Sequence, residues 1–407
     1  VFEQTSLRAQ IDAQTDDAVR ILIVGAGMAG VTLAQLLRRR GIHPILVDRI
    51  DPAGHPGYML ALMPNTTGVF GELGVHDEYA RRSVPLRRFR FRSHRGRALR
   101  TDDLGGLLAS YGDYRGIDRG ALLEVLTADG CAITTGLSAH DMQRADGVTR
   151  VTLADDTGDT TTVEVDLLVG ADGIGSTVRT LLDVGPVTRC RTGWGGWVVW
   201  SEDDEDAELA EELWGDGCFV GAYPVLDRIG VFLGGPEDEV RPDAAAFART
   251  VRARLDDPGP RLRGALDAVE HDPEPFFWRL DDVRAARWTV DGAVLLGDAA
   301  DGFLPTAGIG AAMAMESARV LAAVLAATDR VRLGRSLAVW EARERPRVEK
   351  AQANSRTLAK LMFRRGRVVA WLRETVMRVM TVRAALGPIV SLMAESPDPE
   401  RIAAEIA

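Results

Sequence analysis

Three clusters in this chain could cradle phosphates, at Gly25, Asp172 and Asp298. The first is Gly25-Ala26-Gly27-Met28-Ala29-Gly30, directly behind the apolar run Ile21-Leu22-Ile23-Val24 and ahead of a helical stretch that reaches Arg40. A strand, a tight turn and a helix in that order aim free N–H groups and the positive dipole end of the helix at an anion. Gly25 permits the turn, Gly27 lets a pyrophosphate approach the backbone, and Gly30 lets helix and strand pack closely. About eighteen residues beyond Gly30, as a dinucleotide fingerprint requires, a second strand Pro44-Ile45-Leu46-Val47 ends in Asp48, with Arg49 after it. The carboxylate suits a ribose diol and disfavours a 2′-phosphate, which leaves FAD and NAD as occupants of this first site. A glycine turn without a ligand leaves Asp48 unexplained.

Two later segments repeat the device. Asp166-Leu167-Leu168-Val169-Gly170-Ala171-Asp172-Gly173 runs an apolar strand into an acidic residue and a glycine turn. Val294-Leu295-Leu296-Gly297-Asp298-Ala299-Ala300 does so again, followed by Pro305 and by Gly308-Ile309-Gly310, which opens an Ala/Met-rich helix to Ala327. Each strand end offers one carboxylate beside flexible backbone, an arrangement suited to the hydroxyls of a long polyol chain bearing phosphates.

In that fixed order the three segments resemble the FAD-dependent aromatic-ring hydroxylases of the para-hydroxybenzoate hydroxylase fold, the group A flavoprotein monooxygenases, over roughly residues 20 to 350. The resemblance implies an α/β protein with a Rossmann-like FAD-binding domain, an interleaved antiparallel β-sheet substrate domain and C-terminal helices. It places Gly25, Gly27, Met28, Ala29 and Gly30 on the pyrophosphate and Asp48 on the adenosine ribose, with Arg49 and Leu137 beside the cofactor. Arg119, in Ile117-Asp118-Arg119-Gly120-Ala121-Leu122, would reach a phosphate or ribose. Asp172 and Gly173 would support FAD and lean toward the nicotinamide donor, and Asp298 would meet the ribityl chain. Pro305, Gly308, Ile309 and Gly310 would face the flavin ring, where backbone N–H groups stabilise negative charge. The implied activity is a monooxygenation: NADH or NADPH visits transiently as electron donor, and O2 yields a flavin C4a-hydroperoxide that passes one oxygen atom to an aromatic or polycyclic small molecule. This chain departs from the family's usual pattern at Asp301, where His is common, at Ala312, where Asn is frequent, and at Ser317, where Asp is frequent. Glu316 keeps its acid.

The remaining organisation follows from periodicity. Residues 1–19 read as an N-terminal arm. Residues 20–75 with 105–183 and 276–330 read as the FAD-binding domain, 76–104 with 184–275 as the substrate sheet, and 331–407 as a helical region. Period-2 stretches at Gly193 to Trp200, Cys218 to Val225 and Ile229 to Leu233 predict antiparallel strands. Their aromatic residues give a candidate substrate pocket of Trp197, Trp200, Phe219, Tyr223 and Phe232, with Pro305. On a strand Trp194 and Trp200 share a face and Trp197 points to the other, so only part of the set can line one cavity. Tyr223 and Asp301 are the catalytic candidates, with His55 a weaker proton handler in a glycine-rich loop. The acidic run Glu202 to Glu212 reads as a solvated loop or helix; no histidine accompanies it, so no metal site is expected. The C-terminal stretches at helical spacing, including Val368 to Met393, read as core or interface first and as a membrane-surface helix second.

Composition narrows the class. Across 407 residues with 46% hydrophobic content the chain can bury one large or two moderate cores, and a net charge of −10 argues against a nucleic-acid partner. Cys131, Cys190 and Cys218 form no redox pair, which excludes a disulfide reductase and favours a reducing, cytoplasmic setting. The chain is expected to be a monomer or homodimer. No run is long and apolar enough for a membrane span. No triad or paired-carboxylate spacing argues for hydrolysis. Two other readings stay open: a flavin reductase of isoprenoid or other unsaturated substrates, resembling geranylgeranyl reductases, and an FAD-binding protein without turnover.

Overall fold

The computed structural model describes residues 1–51, 57–202, 206–379 and 386–406. His55 and its loop therefore lie outside the described residues, as does part of the acidic run.

Apolar strands without alternation demand cover on both faces, and Ile21–Val24 and Leu167–Gly170 are buried along their whole length. They pair in parallel at the centre of a seven-stranded sheet. Ile45–Asp48, Cys131–Thr135 and Phe2–Gln4 extend it on one side, and Ala293–Leu295 and Thr289–Val290 on the other. The chain leaves Ile21–Val24 toward one neighbour and later returns on the opposite side, so the loops following Val24 and Gly170 meet at a topological switch point. A Cβ on Gly25 would lie 2.7 Å from the Asp172 amide nitrogen, and one on Gly297 would lie 2.9 Å from the Ala29 Cβ. The three glycine-bearing turns, far apart in sequence, thus touch one another at the carboxyl edge of one sheet. Helices Met28–Arg39 and Gly310–Ala326 pack together against this sheet.

Residues 1–19 contribute to the sheet edge. Phe2–Gln4 pairs with Cys131–Thr135, and the buried Gln10 amide donates to Leu46 O at 3.1 Å and Thr134 Oγ1 at 2.8 Å.

A second seven-stranded sheet holds Phe276–Ala285, Val187–Glu202, Arg228–Pro236, Phe219–Val225, Leu209–Trp214, Arg88–Arg92 and Ala98–Asp103, in that order. Helices Ala244–Arg252 and Gly259–His271 cover one of its faces with a separate apolar core that includes Val199, Leu233, Phe247 and Leu262. The acidic run is not a solvated loop or helix at its described end, where Leu209–Trp214 is an interior strand lying parallel to Arg88–Arg92. Strand alternation sends Glu211 and Glu212 to opposite faces. Glu211 is fully buried against the Arg92 guanidinium, a partner that a count of charges along the chain does not reveal.

The C-terminal helices Leu333–Met362, Arg367–Val379, Gly387–Ala394 and Pro399–Ala404 close the molecule over the Gly310–Ala326 helix and the sheet. Buried Arg347 ties them down, pairing with Glu316 and donating to Leu392 O at 2.6 Å. Among the described residues no helix is long and apolar enough to cross a membrane.

Candidate active site

A cavity of about 880 Å³ begins at Gly27, Met28 and Ala29 and passes Arg119, Gly173, Asp298 and the Pro305–Gly310 segment. Tyr223, Phe232 and Trp214 of the second sheet line it too, as do Leu361, Leu372 and Val376 of the C-terminal helices, which are exposed. Its size suits a cofactor with a substrate beside it.

The glycines of the first turn divide by function. A Cβ on Gly30 would collide with the Gly25 carbonyl oxygen, so Gly30 serves packing. A Cβ on Gly27 would meet no protein atom within 4 Å, and Gly27 stands at the start of a helix with no side-chain cap. Its open side therefore faces ligand space, with unpaired N–H groups directed there. The Gly310–Ala326 helix also begins without a side-chain cap, where Gly310 and left-handed Gly308 (φ +60°) line the cavity; Ile309 between them is buried and does not.

Asp48 is held firmly, its Oδ2 accepting from Ala26 N at 2.6 Å and its Oδ1 from Ile50 N at 3.0 Å. Arg49 is exposed, and Leu137 donates its backbone N–H to Asp48 O at 3.1 Å while its side chain packs on the core. Arg119 starts a helix capped by Asp118, and its guanidinium lies 6.0 Å from the centre of the Tyr58 ring at the cavity wall. Asp298 faces the cavity, and the protein surrounding it pushes its pKa up to about 6, against the pull of Arg179. Arg179, to which the sequence reading gave no role, donates to Ala299 O at 2.8 Å and Ile174 O at 2.6 Å, clamping the second turn to the third.

Asp172 is turned away from the cavity. Its carboxylate accepts from the Ser176 hydroxyl, from Thr177 Oγ1 at 3.0 Å and from Val178 N at 3.1 Å, fixing the start of Thr177–Leu181. Its neighbours Ala171 and Gly173 line the cavity instead, Gly173 with φ +78° and open space beside it. Asp301 is also placed differently from expectation. A backbone bridge to Arg284 carries it beneath the Asp298 turn, where it is 1% exposed, 3.4 Å from Trp288 Nε1 and 3.9 Å from Arg284 Nε, away from the main cavity wall.

Burial is the main reason Asp301 is pushed up to about 7, with Arg284 opposing it. A raised carboxyl pKa gives stability that is whole below the unfolded value and is lost as pH rises through the folded one. Relative to Asp301→Asn, the wild type should lose up to about 1.4 kcal/mol per pH unit between pH 4 and 7 and nothing further above it. Chemical denaturation of both proteins across that range measures the difference, and a flat difference contradicts the assignment.

On the sheet side Phe219, Tyr223 and Phe232 line the cavity, joined by Val198 and Trp214. Trp197 does not, because the pleat turns it to the helix-covered face, where its Nε1 donates to Val240 O at 2.8 Å and its ring packs on Phe277. Trp200 does not line it either, and its ring centre lies 3.6 Å from the Arg228 guanidinium carbon. Trp214, to which the sequence assigns no role, and Glu212, expected in a solvated run, take their place. The Tyr223 hydroxyl donates to Glu212 Oε1, and Trp214 Nε1 donates to Glu212 Oε2 at 2.7 Å. Glu212 lines the cavity, and burial pushes its carboxyl up and the Tyr223 phenol well up. Alternation in Leu209–Trp214 was the available signal, obscured by the acidic residues before it.

A family model described as FAD binding domain matches residues 18–355. The chain belongs to this FAD-binding family of aromatic-ring hydroxylases. Its relatives include the 2-heptyl-3-hydroxy-4(1H)-quinolone synthase of Pseudomonas aeruginosa strain UCBPP-PA14, 31% identical over 379 residues, covering 88% of this chain and 94% of the relative. The aurachin C monooxygenase/isomerase of Stigmatella aurantiaca is 28% identical over 373 residues, covering 89% and 94% respectively. Among solved structures, Klebsiella pneumoniae HpxO complexed with FAD and uric acid shares the fold with a TM-score of 0.82 at 20% identity, over 95% of this chain and 99% of that one. The comparisons support an FAD-dependent monooxygenase over the reductase and the binder without turnover. The cavity fits the family's cofactor: the open side of Gly27, the two uncapped helix starts and the Asp298 carboxylate are what a diphosphate, a polyol chain and a flavin ring require.

Proposed function

We propose that this flavoprotein hydroxylase acts on a planar aromatic or polycyclic small molecule that carries a ring O–H or N–H, taking one oxygen atom from O2 with NADH or NADPH as reductant. FAD, when bound, supplies the redox chemistry. Gly25, Gly27, Gly30, Asp48, Arg119, Gly173 and Asp298 hold it, and Gly308 and Gly310 direct backbone N–H groups at its ring.

The observation that carries the substrate reading is the Tyr223–Glu212 couple, set in an otherwise largely apolar wall of Phe219, Phe232, Val198 and Leu280. Because the Tyr223 proton is committed to Glu212 Oε1, the phenol oxygen is left to accept from a donor in the cavity. A ring O–H or N–H placed there passes its proton to Tyr223 as the phenol proton moves to Glu212. Burial raises the Glu212 carboxyl above its ordinary value, which makes it a better acceptor for that proton. The ring, made electron-rich, becomes a better target for electrophilic oxygen, while the aromatic walls exclude water. The quinolone named for one relative and the uric acid bound in one structural neighbour are heteroaromatic, which supports this class. Free Cys131, Cys190 and Cys218 suit a reducing, cytoplasmic setting.

A panel of phenols, quinolones and polycyclic aromatics, tested for ligand-stimulated NAD(P)H oxidation and for product mass, checks the proposal. A gain of one oxygen atom is expected. A gain of two hydrogens, or stimulation only by ligands without a ring O–H or N–H, contradicts it.

A further inference from the structure

The helix Arg367–Val379 carries its apolar residues on the outside. Val368 is 71% exposed, Trp371 58%, Leu372 52% and Val376 57%, and the spacing of three and four residues sets them in one stripe. The opposite face is docked: Ala370 and Met377 are buried, Arg373 donates to Gly215 O at 2.9 Å, and Glu374 accepts from His94 N at 2.6 Å. The stripe is therefore held outward by the packing behind it. It is also continuous with the interior, because Leu372 and Val376 reach the cavity wall.

Charge says what covers the stripe. Within residues 360–378 of a chain of net charge −10 stand six basic residues, Lys360, Arg364, Arg365, Arg367, Arg373 and Arg378, against one acid, the buried Glu374. Lys360, Arg364, Arg367 and Arg378 are exposed, Arg367 and Arg378 on the helix itself and Lys360 and Arg364 in the chain leading into it. A second copy would set this cationic patch against itself across a two-fold axis, where like charges repel. An apolar stripe with an exposed tryptophan and a basic rim matches the headgroup boundary of an anionic bilayer.

We infer that the Arg367–Val379 helix docks this protein on an anionic membrane surface and turns the mouth of the cavity toward the lipid. Docking stands on the helix alone; entry of an apolar aromatic substrate from the bilayer rests on the function proposed above.

Sedimentation of the FAD-loaded full chain with phosphatidylcholine vesicles, with and without phosphatidylglycerol, tests the docking. Binding to the anionic vesicles is expected, weakened by salt. Both Val368→Ser/Trp371→Ser and Lys360→Glu/Arg367→Glu should reduce it roughly tenfold or more. FAD content and melting temperature report that the variants are folded; none of the four residues lines the cavity. Absence of binding to anionic vesicles, or binding that survives both substitutions, overturns the inference. So does a dimer in light scattering that the same substitutions dissolve. Oxygenation of a soluble substrate by a protein that ignores vesicles would sink the docking and leave the proposed function standing; vesicle binding without any oxygenation would do the reverse.

Discussion

Gly27→Val is expected to give a folded protein that purifies colourless. The new side chain meets no protein atom at its Cβ, and the backbone at Gly27 has φ −77°, which any residue adopts. The fold should therefore keep its FAD-free melting temperature within a degree or two. What the side chain occupies is the space through which a diphosphate approaches the first N–H groups of the Met28–Arg39 helix. Loss of that approach should weaken FAD binding by about a hundredfold or more, near 3 kcal/mol. Gly30→Val makes the contrast. Its Cβ collides with the Gly25 carbonyl, so that variant should lose about 3 kcal/mol or more of stability and fail to accumulate folded. Fluorescence titration with FAD beside thermal melts separates the two effects. A yellow Gly27→Val protein with unchanged affinity would remove the pyrophosphate from this turn.

Glu212→Gln and Tyr223→Phe should both leave FAD bound and both slow product formation, by about a hundredfold at neutral pH. Glutamine can still accept the Tyr223 hydrogen bond but cannot take up its proton, whereas phenylalanine removes the group that meets the substrate. The pH dependence distinguishes this from a packing defect. In the wild type the acid limb of turnover should follow ionisation of Glu212, which burial moves above the ordinary carboxylate range. Activity should rise with pH through that raised value, and the limb should vanish in Glu212→Gln. In Tyr223→Phe the carboxylate loses a hydrogen bond that favours its charged form, so any residual limb should move to higher pH. Variants that keep the wild-type profile at a lower rate would reduce the couple to a structural role.

The cofactor half of the molecule was legible because its signals are local. Strand, glycine turn and helix follow one another at Ile21–Arg39, and the same device recurs at Gly170 and Gly297, so the residues that must converge announce themselves. The direction of side chains within those turns was not legible. Asp172 and Asp298 occupy equivalent sequence contexts, yet one carboxylate is consumed by Ser176, Thr177 and Val178 while the other faces the cavity. Asp301 was misplaced for a similar reason, since the bridge to Arg284 that draws it under the turn is made by a strand remote in sequence. In the substrate sheet, alternation placed Trp197 and Trp200 on opposite faces but gave neither the Arg228 guanidinium over Trp200 nor the helices that claim Trp197. Glu212 was hidden because a glutamate in an acidic run looks solvated until a parallel strand pairing puts it in a sheet interior.

The central claim is that the cavity joining Gly27, Asp298 and Tyr223 holds FAD against an aromatic substrate and transfers oxygen to it. Turnover under isotopically heavy O2, with an accepted aromatic ligand and NAD(P)H, tests this most directly. One heavy oxygen atom in each product molecule is the predicted result; product that forms equally well without O2, or that carries no heavy oxygen, contradicts it.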